Sequence, residues 1–140
     1  AGLDWYELSN WAKPGHECAH NIAYWKSTNW WGLGPGAHSH IDKKRFWNVK
    51  HPTAYKQKLF AQESPIADSE LLTDEQLRDE AIMLAIRMRS GLALDLLSDA
   101  AQTRILQYQN SGHLNLIDKH LQLTAQGRLI ADRLVREALG

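Results

Sequence analysis

Metal-binding side chains crowd the first third of the chain. His16, His20, His38, His40 and His51 are joined there by Cys18, the single cysteine. Imidazole and thiolate suit zinc, copper or haem iron. In His16-Glu17-Cys18-Ala19-His20 the donors alternate, which puts them on one side of an extended segment. Zinc signatures usually separate their ligand pairs by about two to five residues, and this spacing does not match them. The alternative reading is a set of ordinary polar residues on a tryptophan-rich surface. A second candidate is Gly32-Leu33-Gly34-Pro35-Gly36-Ala37-His38-Ser39. Alternate glycines let a backbone take positive φ or approach a ligand closely. Such loops can cradle a phosphate or an adenosine moiety. The run lacks the third glycine spacing of a dinucleotide fingerprint and the Lys-Ser/Thr of a P-loop. It reads equally well as a tight turn. Ser39, His38 and Asp42 could compose a Ser-His-Asp set, but nothing places Ser39 on a nucleophile elbow. Asp79-Glu80 reads as part of a solvated helix face.

The elements that must position these residues fall into two textures. All six tryptophans lie between Trp5 and Trp47, and Tyr108 is the only aromatic residue after Ala61. Lysines dominate the first part and arginines the second. We read residues 1–62 as one unit and 63–140 as another, with a loop-forming linker near Gln62–Leu72 that holds Ser64, Pro65, Asp68 and Ser69. In the first unit Leu3–Leu8 and Lys43–Val49 are strand candidates. Pro14-Gly15 is a turn, and His20–Trp25 opens a short helix. Pro52 sits at the first position of a helix running to Phe60. No strand there has a visible partner of matching length, so the reading is an incomplete sheet with more ring surface than it can hide. Exposed patches of that kind favour self-association.

The second unit is more explicit. Thr73-Asp74-Glu75-Gln76 is a capping box, and Leu77, Ala81, Leu84, Ala85 and Met88 keep helical spacing after it. Acidic Asp74 and Glu75 open that helix, Arg87 and Arg89 close it, and Gly91 ends it. Ser98-Asp99 caps a second helix, Asp99–Asn110. Leu114 and Leu116, then Leu121 and Leu123, alternate with polar residues as two strands joined through Asp118-Lys119-His120. Thr124 caps a last helix with Ile130, Leu134 and Ala138 on one face. Helices, a hairpin and a closing helix together suggest a winged-helix-like arrangement. A DNA-binding version would use Asp99–Asn110 as its recognition helix, whose only base is Arg104. Arg128, Arg133 and Arg136 lie on the last helix, partly offset by Asp132 and Glu137. A protein-packing module is the favoured reading.

Composition narrows the function classes. The chain has 140 residues, 44% of them hydrophobic, with 16 basic against 16 acidic side chains. That balance excludes intrinsic disorder and gives no bulk basic excess for nucleic acid. One cysteine excludes an internal disulfide framework, and it cannot supply a cysteine-only zinc or iron–sulfur site. There is no apolar run of membrane-spanning length and no signal peptide at the start. The expectation is therefore a cytoplasmic, reducing location.

Three motifs carry a resemblance. Tyr6-Glu7-Leu8-Ser9-Asn10-Trp11-Ala12, His20-Asn21-Ile22-Ala23-Tyr24-Trp25 and the glycine run Gly32–Ser39 follow one another closely. Together they resemble the late part of the oxygen-independent coproporphyrinogen III oxidase-like radical S-adenosylmethionine proteins. The likeness is greatest to the haem chaperone branch, which carries His-Asn-x-x-Tyr-Trp. From about Thr73 onward the chain resembles the small helical domain that ends these proteins. The resemblance implies a fragment of α+β class. Residues 1–62 would be the end of a radical SAM (β/α) barrel with few strands, and 63–140 a small winged-helix-like domain. It implies a parent that holds a [4Fe–4S] cluster and S-adenosylmethionine, binds haem, and passes it to haem-dependent proteins of unknown identity. The alternative parent activity is oxidative decarboxylation of coproporphyrinogen III. The third reading is a winged-helix module that binds DNA or protein. The resemblance assigns His20, Asn21, Tyr24 and Trp25 to a haem motif, with His20 as the iron ligand. It assigns Gly32, Gly34 and Gly36 to the S-adenosylmethionine side of the barrel. The family's Cys-x-x-x-Cys-x-x-Cys is missing, so this chain alone is expected to be no enzyme and to carry no catalytic residue. Ala19 stands where many relatives have Arg.

Overall fold

The chain opens with a hairpin. In the computed structural model, which describes residues 2–140, β1 (Asp4–Glu7) pairs antiparallel with β2 (Asn10–Ala12), setting Trp5 opposite Trp11. The Glu7 carboxylate organises its turn. One oxygen accepts the Ser9 N–H at 3.1 Å and also the Asn10 side-chain amide. The sequence reading has no β2, because three residues show no alternation; the turn and the pairing hold this strand. After the Pro14-Gly15 turn, where Gly15 has φ +82°, comes α1 (Ala19–Trp25).

The chain then builds a three-stranded antiparallel sheet in the order β3 (His38–Ile41), β4 (Lys44–Asn48), β5 (Ile66–Leu71). Asp42, with φ +54°, turns β3 into β4. Helix α2 (Pro52–Phe60) connects β4 to β5, with Pro52 at its start as expected. The presumed linker near Gln62–Leu72 is thus corrected, because it contains a strand. Ile66-Ala67-Asp68-Ser69-Glu70-Leu71 is exposed throughout, so no buried face imprints an alternating pattern on it. Backbone pairing to β4 supplies its order, from Lys44 opposite Leu71 to Asn48 opposite Ile66. The two strand candidates of the first part thus have separate partners: β1 pairs with β2, and β4 with β3 and β5.

Helix α3 (Asp74–Ala85) starts on the expected box: Thr73 N–H donates to Gln76 Oε1 at 2.9 Å, and Gln76 N–H donates to Thr73 Oγ1 at 3.2 Å. It stops at Ala85, earlier than expected, and Arg87 donates to the Met83 carbonyl at 2.9 Å. That bond satisfies an acceptor left open at the helix end. Next come β6 (Leu92–Ala93), a short 3-10 turn, and α4 (Asp99–Asn110), whose Ser98 cap accepts from Ala101 N–H. Strands β7 (Leu114–Ile117) and β8 (His120–Leu123) pair antiparallel as the expected hairpin, with His120 in the strand opposite Ile117 and not in the turn, and β6 joins them in the order β6-β8-β7. The hairpin turn without glycine is made by Asp118 and Lys119 at φ +47° and +63°. The single closing helix expected is two: α5 (Ala125–Leu129), capped by Thr124, and α6 (Ala131–Leu139). Ile130, at φ −121°, breaks it.

The molecule is a mixed α+β structure whose contacts form two compact units. One comprises the chain through Lys26 together with Arg78–Gly140; the other is Ser27–Leu77. The larger core lies in the first. Ile82, Ile86, Leu92, Ile105, Leu121 and Leu134 are almost wholly buried there, and Trp5 and Leu8 of the hairpin pack against the same cluster. Backbone bonding explains why the hairpin joins this unit: Arg89 N–H donates to the Tyr6 carbonyl at 3.0 Å, and Glu7 bridges to Met88. Among the described residues no helix is long and apolar enough to cross a membrane.

Candidate functional site

Helix α1 carries the first set of candidate residues. It is seven residues long, and its cap position, Cys18, makes no side-chain capping bond. The i,i+4 spacing sets the Tyr24 ring beside the His20 imidazole, edge to face, with centroids 4.9 Å apart. Both side chains are exposed, whereas Asn21 and Trp25 are half-buried. Asn21 points the other way and donates to the Tyr6 hydroxyl of β1 at 3.2 Å. One helix thus offers an imidazole and a phenol ring outward, while its asparagine ties it to the hairpin. His16 and Cys18 are exposed on the preceding segment.

The other histidines of the cluster, His38, His40 and His51, lie in the Ser27–Leu77 unit. His38 stacks on Trp47 at 5.6 Å, and His51 is the exposed cap residue of α2. His40 is buried, with its Nε2 unpartnered, while its backbone pairs with Trp30. Among the described residues no group of three His, Cys, Asp or Glu is arranged to hold a metal ion. A multi-ligand metal site of the His16-Cys18-His20 kind is therefore not preassembled. A lone imidazole with an open face remains the donor chemistry on α1, and that fits one axial bond to haem iron.

The glycine run belongs to the Ser27–Leu77 unit, and its three glycines are glycine for two different reasons. A Cβ on Gly32 would lie 1.9 Å from the His38 carbonyl oxygen, so the backbone itself fills that space. Gly34 and Gly36 have φ +108° and +68°, with room around them. Two buried polar side chains hold the run. Ser39 Oγ accepts from Gly32 N–H at 2.9 Å, and Asn48 Nδ2 donates to the Gly34 carbonyl at 3.0 Å. Gly36 N–H donates to the Val49 carbonyl, and Ala37 N–H to that of Gly34. The N–H groups of Gly32, Gly36 and Ala37 are thus spent within the fold. Sequence reasoning missed Ser39 and Asn48 as anchors, because only the β3–β4 register brings both to the loop. Ser39 is buried as an acceptor from the loop, which suits anchoring and not nucleophilic attack.

In the C-terminal half, the sole base of α4, Arg104, donates to the Glu137 carbonyl near the end of α6 at 3.2 Å. Its guanidinium is occupied within the fold. The Asp74 carboxyl has a lowered pKa. Lys43, hydrogen-bonded to it at 2.5 Å and oppositely charged, holds it below the usual carboxylate range.

Comparison with known proteins bears on this arrangement. A family model described as the HemN C-terminal domain matches residues 72–130. The haem chaperone HemW of Mycobacterium tuberculosis is 45% identical over 140 residues, covering all of this chain and 36% of the relative. HemW of Synechocystis is 39% identical over 106 residues, covering 74% of this chain and 26% of the relative. The chain spans about a third of the length of the first of these curated relatives. The radical SAM enzyme coproporphyrinogen III oxidase (HemN) from Escherichia coli superposes over 97% of this chain and 37% of its own. The TM-score is 0.69 at 19% identity, a likeness of fold.

Proposed function

The chain belongs to the family of the haem chaperone HemW and the HemN-like radical SAM proteins, and on that premise we propose that it is the C-terminal portion of a protein that binds haem and delivers it to haem-dependent proteins. The observation that carries this reading is the outward pairing of His20 with Tyr24 on α1, centroids 4.9 Å apart, beside Asn21 tied to Tyr6. Haem is cargo here. A neutral imidazole is a good axial donor, and its second nitrogen can be tuned by neighbours. The Tyr24 ring supplies an aromatic wall next to that donor. Trp25 completes the motif from the half-buried side of the helix.

In this reading the chain continues the barrel of the parent and leads into a winged-helix-like appendage in which α3, β6, α4 and the β7–β8 hairpin follow in that order. Gly34 and Gly36, with room beside them, would face S-adenosylmethionine, whereas the His38 carbonyl fills that space at Gly32. The parent's [4Fe–4S] cluster does not fit the donors present, since Cys18 is the only cysteine. Zero formal charge and a single free thiol suit a reducing, cytoplasmic setting. The whole-chain identity to the chaperone favours delivery over coproporphyrinogen oxidation, for which the likeness is one of fold.

A haem titration of the chain and of its His20→Ala, Cys18→Ser and His16→Ala variants tests the proposal. The Soret band should weaken or shift most in the His20 variant. Loss of the spectrum in Cys18→Ser alone would make the ligand a thiolate. Normal binding by all three variants would reduce α1 to a structural element.

A further inference from the structure

A second kind of chemistry lies in the unit built from the hairpin and the C-terminal half, away from α1. A groove of about 310 Å³ is lined by Leu8, Arg128, Leu129, Asp132, Arg133 and Arg136, among others. Its one acid is engaged elsewhere: Asp132 pairs with Arg87 at 2.7 Å. Among the described residues none of the three groove arginines forms an ion pair. Two of them rest on aromatic faces: the Arg128 Cζ is 4.9 Å from the Trp5 ring centroid, and the Arg133 Cζ is 5.6 Å from that of Tyr108. A guanidinium stacked by its face keeps its edge donors available in a fixed fork, the arrangement that grips carboxylates. Beside these cations Leu129 is 86% exposed, although it belongs to a helix that could have turned it inward.

We propose that this groove docks an acidic segment of a partner protein, with an apolar residue seated on Leu129 and carboxylates on Arg128, Arg133 and Arg136. The charge balance supports carboxylates carried on a partly apolar body over a nucleic-acid backbone. Duplex DNA rewards an extended basic surface. Here the cations are few, an acid sits among them, and the formal charge of the chain is zero. The inference stands apart from haem, since no α1 residue lines the groove.

The test uses the whole chain and a fluorescein-labelled peptide of alternating Glu and Leu, with a Lys-Leu peptide, inorganic phosphate and a short DNA duplex as comparison probes. The Glu-Leu peptide should bind at low salt, and the Trp5 indole N–H resonance should move as Arg128 engages it. Arg133→Gln with Arg136→Gln should weaken binding about tenfold, in line with two partly exposed ion pairs. Leu129→Ser should weaken it with no change in unfolding midpoint, which separates docking from folding. Equal affinity in the arginine variant, full displacement by inorganic phosphate, or tighter binding of the duplex would each overturn the proposal.

Discussion

Replacing Gly32 with alanine should damage the Ser27–Leu77 unit more than the same change at Gly36, although only Gly36 has positive φ. A Cβ at Gly32 would lie 1.9 Å from the His38 carbonyl oxygen, where real Cβ contacts essentially never fall below 3.0 Å. The two segments would have to part by about an ångström. They are pinned by the 2.9 Å bond from Gly32 N–H to Ser39 Oγ and by the pairing of His38 with Trp47. Forcing extra volume into packed structure costs about 1–3 kcal/mol, and an unyielding backbone puts this case at the upper end. At Gly36 the new Cβ meets only Lys50, at 3.6 Å. The cost there is the left-handed conformation alone, about 1–2 kcal/mol. Each kcal/mol lowers the melting midpoint of a small domain by roughly 4–8 °C, so the Gly32 variant should melt on the order of 10–20 °C early. Thermal unfolding followed by near-ultraviolet circular dichroism reads the difference, because Trp30, Trp31 and Trp47 all lie in this unit. A Gly32→Ala variant no less stable than Gly36→Ala would refute the argument that a close backbone approach dictates the loop.

Other expectations follow from single contacts. Leu134→Ala, at a wholly buried position of α6, should cost about 2–5 kcal/mol in urea unfolding. Thr73→Ala should remove one half of the α3 capping box and cost about 1 kcal/mol. Asp74 has a depressed pKa, so its pairing with Lys43 contributes stability above the ordinary carboxylate range and loses it as pH falls through the lowered value. Carboxyl-carbon NMR titration should show Asp74 moving up toward 3.8 in Lys43→Gln. Unchanged titration would show that Lys43 is not the cause.

The second half of the sequence was readable because its local signals agree with its packing. Helix α4 begins and ends where the Ser98 cap and apolar stripe place it, at Asp99 and Asn110. The β7 and β8 strands show in the alternating leucines, of which Leu114, Leu121 and Leu123 reach the core. Strand β5 was unreadable for the converse reason: all six residues are exposed, so its order comes from a partner and not from a buried face. The break at Ile130 was hidden because apolar spacing runs on through it. The candidate site was half legible. Residues on one helix turn, His20 and Tyr24, meet as spacing requires. Ser39 ends the glycine motif and Asn48 lies outside it, but only the β3–β4 pairing shows that both hold the loop.

The unit that contains the larger core is assembled from two stretches of chain separated by Ser27–Leu77. During synthesis the hairpin emerges ahead of its partners and must wait for them. Met88 and Arg89 bond to it, and Arg128 covers Trp5, only after the intervening sheet has left the ribosome. Contacts between such distant positions make the unit slow to close. The inserted sheet, by contrast, has every strand partner within its own span and can order early. Trp5, which packs on the larger core, therefore stays uncovered until its partners arrive.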